Sequence, residues 1–424
     1  MPRKNNRIDT PFIILMLYLF FDYGRPQAFF PIIGKLHPGY ILHLSLLWLL
    51  FKENKLFNIE DTQVKAFILI LAIMIIHIPF SENNYWAFEG WRNTFLYFIV
   101  FMSIISFITT YEQLEKFIKR WLMIMIFCSI VGIKSGGKVP NSPFMGDEND
   151  FALVMNMAIG MSYFMYFYSD TFSKKIFYLF AIVLFLWANI ASLSRGGFVG
   201  LIGTAFYIWF RSPKKMITTI FAVLFAIIFA SLAPSSYWKE MKTIRQEGIH
   251  KGTGGARWYL WKCAWKMFLH HPIIGVGQNN FPWTVGKYEP KEEQKRYAGR
   301  SHVGRVCHSL YFTILSELGA LGTFLYFLIF FKSRKDLIPI LKYEYYYSSL
   351  IENLEIHLFF QKLRYIVYGV ECSLAAYFWT GIFLTVCYYP HFWVFNGLMI
   401  AIRNVLNNTL IEFQSKKVLL FNEP

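Results

Sequence analysis

His308-Ser-Leu-Tyr-Phe-Thr-Ile-Leu-Ser-Glu-Leu-Gly-Ala-Leu-Gly322 follows 74 polar-rich residues, Pro234 to Cys307, which carry 13 Lys/Arg against 5 Glu. Before this interval the chain is a succession of apolar runs joined by short loops. After it, a histidine stands at the mouth of another apolar run. Runs of membrane-spanning length leave helices as the only reading, because hydrocarbon offers the backbone no outside hydrogen-bond partner. The 424 residues are 55% apolar and 20% aromatic, and only 16% are charged, fewer than a soluble chain of this length carries. The fold class is therefore all-α: a polytopic helical membrane protein with about twelve transmembrane helices and one large outer loop containing amphipathic helices.

The predicted spans are 10–22, 38–51, 65–80, 93–110, 119–133, 151–169, 175–192, 196–210, 215–233, 308–331, 365–387 and 391–406. They divide the chain into an N-terminal bundle of about nine spans (1–233), the loop 234–307, and C-terminal spans (308–424) with an interfacial segment at 332–364. The opening Met1-Pro-Arg-Lys-Asn-Asn-Arg7 and the apolar run after it resemble a signal peptide briefly. No small-residue cleavage site follows, so a retained first helix is expected. With the N-terminus in the cytoplasm, the short inner loops hold sixteen Lys/Arg and the short outer loops six, which is the positive-inside bias. The loop 234–307 then lies outside. The net charge of +16 is spread over inter-helix loops, which argues against a nucleic-acid partner. Five cysteines are scattered, with no metal spacing. Cys263 and Cys307 share the outer loop, where a disulfide is possible but two thiols are the favoured reading.

Within the loop, Gly252-Thr-Gly-Gly-Ala-Arg257 reads as a flexible lead-in to a helix ended by Pro272. Trp258, Trp261, Trp265, Phe268 and Leu269 recur at helical spacing, so an aromatic stripe should lie at the lipid headgroups or against the bundle. Arg257 falls in the first turn of that helix, facing outer water. Arg195, in Ser192-Leu-Ser-Arg-Gly-Gly197, stands where two spans meet. A guanidinium fork suits a diphosphate, and the two glycines let backbone N–H groups of a helix N-terminus approach an anion. His308 begins a helix, whose positive end favours neutral imidazole and hence a base. Arg300 and Arg305 on the cationic approach to His308, and Asn149 and Asp150 in Gly146-Asp147-Glu148-Asn149-Asp150, are candidate substrate contacts; Asp150 is also the expected cap of the next helix. No metal ligand set is seen. Glu317 and Glu371 lie inside spans; Glu317 reads as a polar pin between helices, with a proton relay as the less favoured alternative.

Together, Gly146-Asp-Glu-Asn-Asp-Phe-Ala-Leu153, Leu193-Ser-Arg-Gly-Gly-Phe198, Arg257-Trp-Tyr-Leu-Trp261 with His271-Pro-Ile-Ile-Gly-Val-Gly277, and His308-Ser-Leu…Glu317-Leu-Gly-Ala-Leu-Gly322 resemble the O-antigen ligase/polymerase superfamily. The resemblance covers roughly residues 130 to 330. It implies a GT-C type glycosyltransferase of the bacterial inner membrane with a periplasmic active site. It implies transfer of a glycan from undecaprenyl diphosphate to a lipid A-core acceptor, inverting and without metal or cofactor. Arg195 and Arg257 would hold the diphosphate and His308 would activate the acceptor hydroxyl. The opening Phe20-Phe-Asp-Tyr-Gly-Arg25-Pro-Gln27 matches no family role. Nor does any residue align with the acidic group that ligases carry after the histidine. An O-antigen polymerase or a protein O-oligosaccharyltransferase is the alternative within the superfamily. A lipid-linked glycan transporter is the alternative from another class, and it predicts internal repeats that the sequence lacks.

Overall fold

The computed structural model describes residues 9–56, 58–212, 234–247, 252–290 and 301–421, with a few single residues between 215 and 231. Among the described residues every regular element is a helix. The main ones are α1 (Thr10–Leu19), α2 (Pro38–Lys52), α3 (Thr62–His77), α4 (Asn84–Phe107), α5 (Tyr111–Lys134), α6 (Glu148–Tyr168), α7 (Phe172–Ala191) and α8 (Arg195–Arg211). They are followed by α9 (Ser235–Glu247), α10 (Gly252–His270), α11 (Leu310–Asp336), α12 (Leu354–Thr380) and α13 (Pro390–Phe421). Each predicted run except 215–233 falls on one of these helices; most of 215–233 lies outside the described residues. Among the described residues, six segments are long and apolar enough to cross a membrane: Thr62–Phe80, Asn84–Phe107, Glu148–Tyr168, Phe172–Ala191, Leu310–Leu341 and Leu354–Phe383. Thr10–Gly24 and Pro38–Lys52 are shorter apolar helices. The protein is thus a polytopic helical membrane protein.

α6 is the central helix, with little of its surface left open. Polar side chains tie it to its neighbours. Asn189 donates to Asn156 Oδ1 (2.9 Å), Asn156 donates to the Gly197 carbonyl (2.9 Å), and Ser373 donates to the Met157 carbonyl (2.8 Å). Such bonds hold helices together where neighbouring lipid offers no competing partner. At the end of the bundle away from residue 310, Glu371 acts as a pin between helices. It accepts from Tyr207 Oη and Arg211 Nη2 and pairs with Arg334 at 3.2 Å, joining α8, α11 and α12. The interval after α11 is not one interfacial helix. It breaks into single turns at Ile338–Leu341 and Tyr343–Tyr346, and Tyr343 folds back to stack on Phe360 of α12 (5.2 Å). The unmatched opening segment forms a π turn at Phe20–Gly24, where Asp22 accepts from Tyr18 Oη (2.8 Å).

α9 and α10 form a cap over the other end of the bundle. α10 is helical from Gly252, so the glycine-rich lead-in is its first turn. Its buried face is Tyr259, Leu260, Cys263, Ala264 and Met267, packed with Phe281, Val285 and Cys307 in a small core of the cap's own. Cys263 and Cys307 are thiols buried in that core. The aromatic stripe faces elsewhere. Trp261 stacks on Phe312 (5.4 Å) and Phe383 (6.2 Å) of the bundle. Trp258, Trp265 and Leu269 point outward, 40%, 46% and 57% exposed.

The cap is fastened through its backbone. α11 is interrupted at Gly319, which takes a left-handed φ of 65°. The groups freed there pair with the turn after α10. Val276 N donates to Ser316 O, Gly277 N to Glu317 O, Ala320 N to Pro272 O and Leu321 N to Ile273 O, all at 2.8–3.0 Å. Non-helical backbone is tolerated at such a site only because protein covers it. Two glycines permit the crossing. A Cβ at Gly319 would stand 2.5 Å from the Ile273 backbone, and one at Gly275 would stand 2.4 Å from the backbone of Glu317. The buried Glu317 side chain completes the joint. It accepts from Asn279 N (2.8 Å), Phe281 N (2.9 Å) and Tyr388 Oη (2.8 Å). Glu317 is therefore a pin, but one that holds the cap and the loop before α13 rather than a second membrane helix. Glu317→Ala leaves three buried donors without an acceptor and should cost at least about 3 kcal/mol. Glu317→Gln should be milder. Thermal unfolding in detergent, with protease cleavage of the cap followed in parallel, orders the two variants.

Candidate active site

The N-termini of α6 and α8 lie side by side beneath the cap. Asp147 caps α6, its Oδ1 accepting from Asn149 N (2.8 Å) and Asn149 Nδ2 (2.9 Å). Ser194 caps α8, its Oγ accepting from Gly197 N (2.8 Å). Asn149 bridges the two ends by accepting from Ser194 Oγ (2.7 Å). The capping residue is thus Asp147 and not Asp150. Asp150 sits in the first turn and accepts from Tyr389 Oη (2.8 Å), which turns it toward the start of α13. Asn149 and Asp150, predicted as substrate contacts, are both engaged with the protein here.

Arg195 is the first residue of α8. Its guanidinium reaches up into the cap, donating to Thr243 Oγ1 (2.7 Å) and Thr253 Oγ1, and its Nε lies 3.3 Å from a Glu240 carboxylate oxygen. Arg257 occupies the second turn of α10, because that helix begins at Gly252. It does not face outer water. It is half-buried, with its guanidinium 5.7 Å from the centre of the Phe383 ring. Burial pulls its pKa below the ordinary arginine value, the charge of Arg195 adds to that, and Asp147 opposes it. Arg257 therefore lies within electrostatic range of both Arg195 and Asp147.

His308 does not begin α11. The helix starts at Leu310 with Ser309 as its cap, and His308 stands just ahead in a left-handed conformation (φ 53°). Its backbone N–H donates to Thr385 Oγ1 (2.8 Å), which anchors it to the loop after α12. The imidazole is half-buried and has no hydrogen-bond partner among the described residues. Burial lowers its pKa, the charge of Arg257 lowers it further, Asp147 raises it and Arg305 lowers it. A neutral imidazole is the result, though desolvation and nearby cations produce it where a helix dipole was expected. Arg305 is exposed beside this group, and Arg300 lies outside the described residues.

The structure thus brings Arg195, Arg257, Arg305 and His308 into one electrostatic neighbourhood. It adds Asp147, Glu240, Thr243, Thr253 and Phe383, which the sequence reading did not select. Asp147 had a signal, an Asp followed by an acidic first turn. Glu240 and the threonines had none, because they meet Arg195 only through the packing of the cap. An imidazole with a free ring face among guanidinium groups can take a proton from a hydroxyl, and the guanidinium groups can hold an anion beside it.

The family model described as O-antigen ligase matches residues 153–327, from α6 into α11. Arg195, Arg257 and His308 all fall inside the match, and Asp147 lies just ahead of it. No curated protein matches the chain. Over these residues, fewer than half of the chain, the protein is similar to that family.

Because folding lowers the His308 pKa, the unfolded chain binds that proton more tightly. Protonation therefore destabilises the fold as pH drops below about 6.5. The unfolding temperature of the native protein should fall more steeply from pH 8 to pH 5 than that of His308→Gln. Parallel curves would show that the imidazole is not held neutral by the fold.

Proposed function

We propose that the protein transfers a glycan from undecaprenyl diphosphate to a lipid A-core acceptor at the periplasmic face of the inner membrane. The observation that carries this reading is the meeting of Arg195, Arg257 and His308 from three distant parts of the chain under one cap. His308 takes the proton of the acceptor hydroxyl. The hydroxyl oxygen attacks the anomeric carbon as its bond to the diphosphate breaks, and the configuration inverts. The lipid diphosphate leaves with the bonding electrons, and Arg195 and Arg257 stabilise the charge it gains. A single long outer loop favours ligation over polymerisation, since polymerases often use two.

One contact qualifies this reading usefully. The Arg195 fork is already engaged by Glu240 and two threonines. Donor binding therefore requires phosphate oxygens to replace the Glu240 carboxylate. Glu240→Gln should lower KM for the donor while leaving kcat near its original value, and an unchanged or raised KM would show that Glu240 does not compete.

The direct test supplies purified protein with lipid-diphosphate glycan, once with lipid A-core and once with no second acceptor. Product on lipid A-core supports ligation; elongated lipid-diphosphate glycan without it supports a polymerase. His308→Ala should lower transfer by about a hundredfold or more. Arg195→Lys should be damaging too, because a point charge does not replace a fork. The acid limb of kcat/KM should inflect below the ordinary imidazole pKa. Full activity in His308→Ala removes the base from the mechanism.

A further inference from the structure

The cap has a second concave face at the far end of α10. Arg257 and His271 are separated by a helical run of about 20 Å. There the turn after α10 and the end of α3 enclose a groove of about 600 Å³, a size typical of small-molecule sites. One wall is apolar and open to the surroundings: Ile76 and Phe80 come from the end of a membrane helix, Ile273 and Ile274 from the turn. Phe80 is 82% exposed and Ile273 69%. The other wall offers hydrogen-bonding groups, with His271 Nε2 and Tyr288 Oη 3.1 Å apart and His77 beside them.

His77 is buried, and among the described residues the Gln278 side chain alone stands within reach of its ring nitrogens. The polar group next to it is Gln278, whose amide nitrogen is committed to the Met74 and Ala87 carbonyls (2.8 Å each). The remaining Gln278 oxygen can satisfy one imidazole nitrogen and not both. A buried polar atom of this kind calls for a further partner. The charged side chains of Lys287 and Glu82 at the groove pair at 2.5 Å, so together they are net neutral.

We propose that this groove binds a sugar-headed amphiphile, with its chain along Phe80 and Ile273 and its hydroxyls on His77, His271 and Tyr288. The imidazole and phenol groups can exchange hydrogen bonds with hydroxyls, while the paired Glu82 and Lys287 leave no charge to recognise. The site lies apart from the arginine cluster and can be tested without transfer.

The protein, reconstituted in phosphatidylcholine nanodiscs, is titrated with dodecyl maltoside bearing a diazirine in its chain, and cross-linked peptides are mapped by mass spectrometry. Saturable labelling of residues 76–80 and 273–276, competed by unlabelled dodecyl maltoside, is the expected result. Ile273→Trp, at an exposed position, should fill the groove and weaken labelling by about tenfold or more. Phe80→Ala should weaken it less. Equal labelling by a diazirine phosphatidylcholine, label spread over the whole lipid-facing belt, or full labelling of Ile273→Trp would each overturn the proposal. Labelling should persist in His308→Ala. A protein that transfers glycan but takes no saturable label overturns the groove and leaves the transferase standing.

Discussion

The break in α11 at Gly319 is the constraint on which the rest of the architecture depends. A continuous helix there would bury its own backbone groups and leave the cap with side-chain contacts alone. Interrupted, it exposes carbonyls and N–H groups that only another backbone can satisfy, and residues 272–277 supply that backbone. The exchange works because Gly275 and Gly319 cross where any Cβ would collide with main chain. Glu317 then accepts from two N–H groups of the same loop, and Gln278 carries the tie onward to the ends of α3 and α4. The direction of α10, and with it the position of Arg257, follows from this joint.

Beneath the cap, the electrostatics are lopsided. Arg257 and Arg305 act on the His308 imidazole, Arg195 acts on Arg257, and the helix N-termini of α6 and α8 add positive potential of their own. Asp147 and Glu240 answer only part of this charge. A cluster of this composition stabilises an arriving anion and keeps His308 neutral at the same time, so one arrangement serves both proposed roles. Glu240 holds the cap down through Arg195, and on the proposed reading a phosphate oxygen of the donor competes with it for the same guanidinium.

The opposite end of the bundle uses ionic groups differently. Glu371 gathers Arg211 and Arg334 from two other helices, and Arg403 pairs with Asp61 at 2.7 Å and Asp336 at 3.3 Å. These networks join helix ends and touch none of the candidate site residues. Partly buried ion pairs of this kind specify which helices meet more than they add net stability. Charge placed deep in the protein thus serves geometry at one end and, on the proposed reading, chemistry at the other.

The helices were legible in the sequence because hydrocarbon leaves a long apolar run no other structure, and the cationic interval 234–307 marked where the chain leaves the bundle. Arg195, Arg257 and His308 were legible as residue types suited to a diphosphate and a hydroxyl, within motifs of recognisable order. Their surroundings were not. The start of α10 was misplaced because a glycine-rich stretch reads as flexible, which moved Arg257 by a turn and faced it to water. Asp147 was passed over for Asp150 because capping depends on where a helix begins. The aromatic stripe was placed on the helix correctly but its direction was open, since spacing reports a face and not what covers it. The joint at Gly319 was invisible for a deeper reason. It is made of backbone hydrogen bonds between segments some 45 residues apart, and such bonds carry no side-chain signature, so only tertiary packing decides where they form.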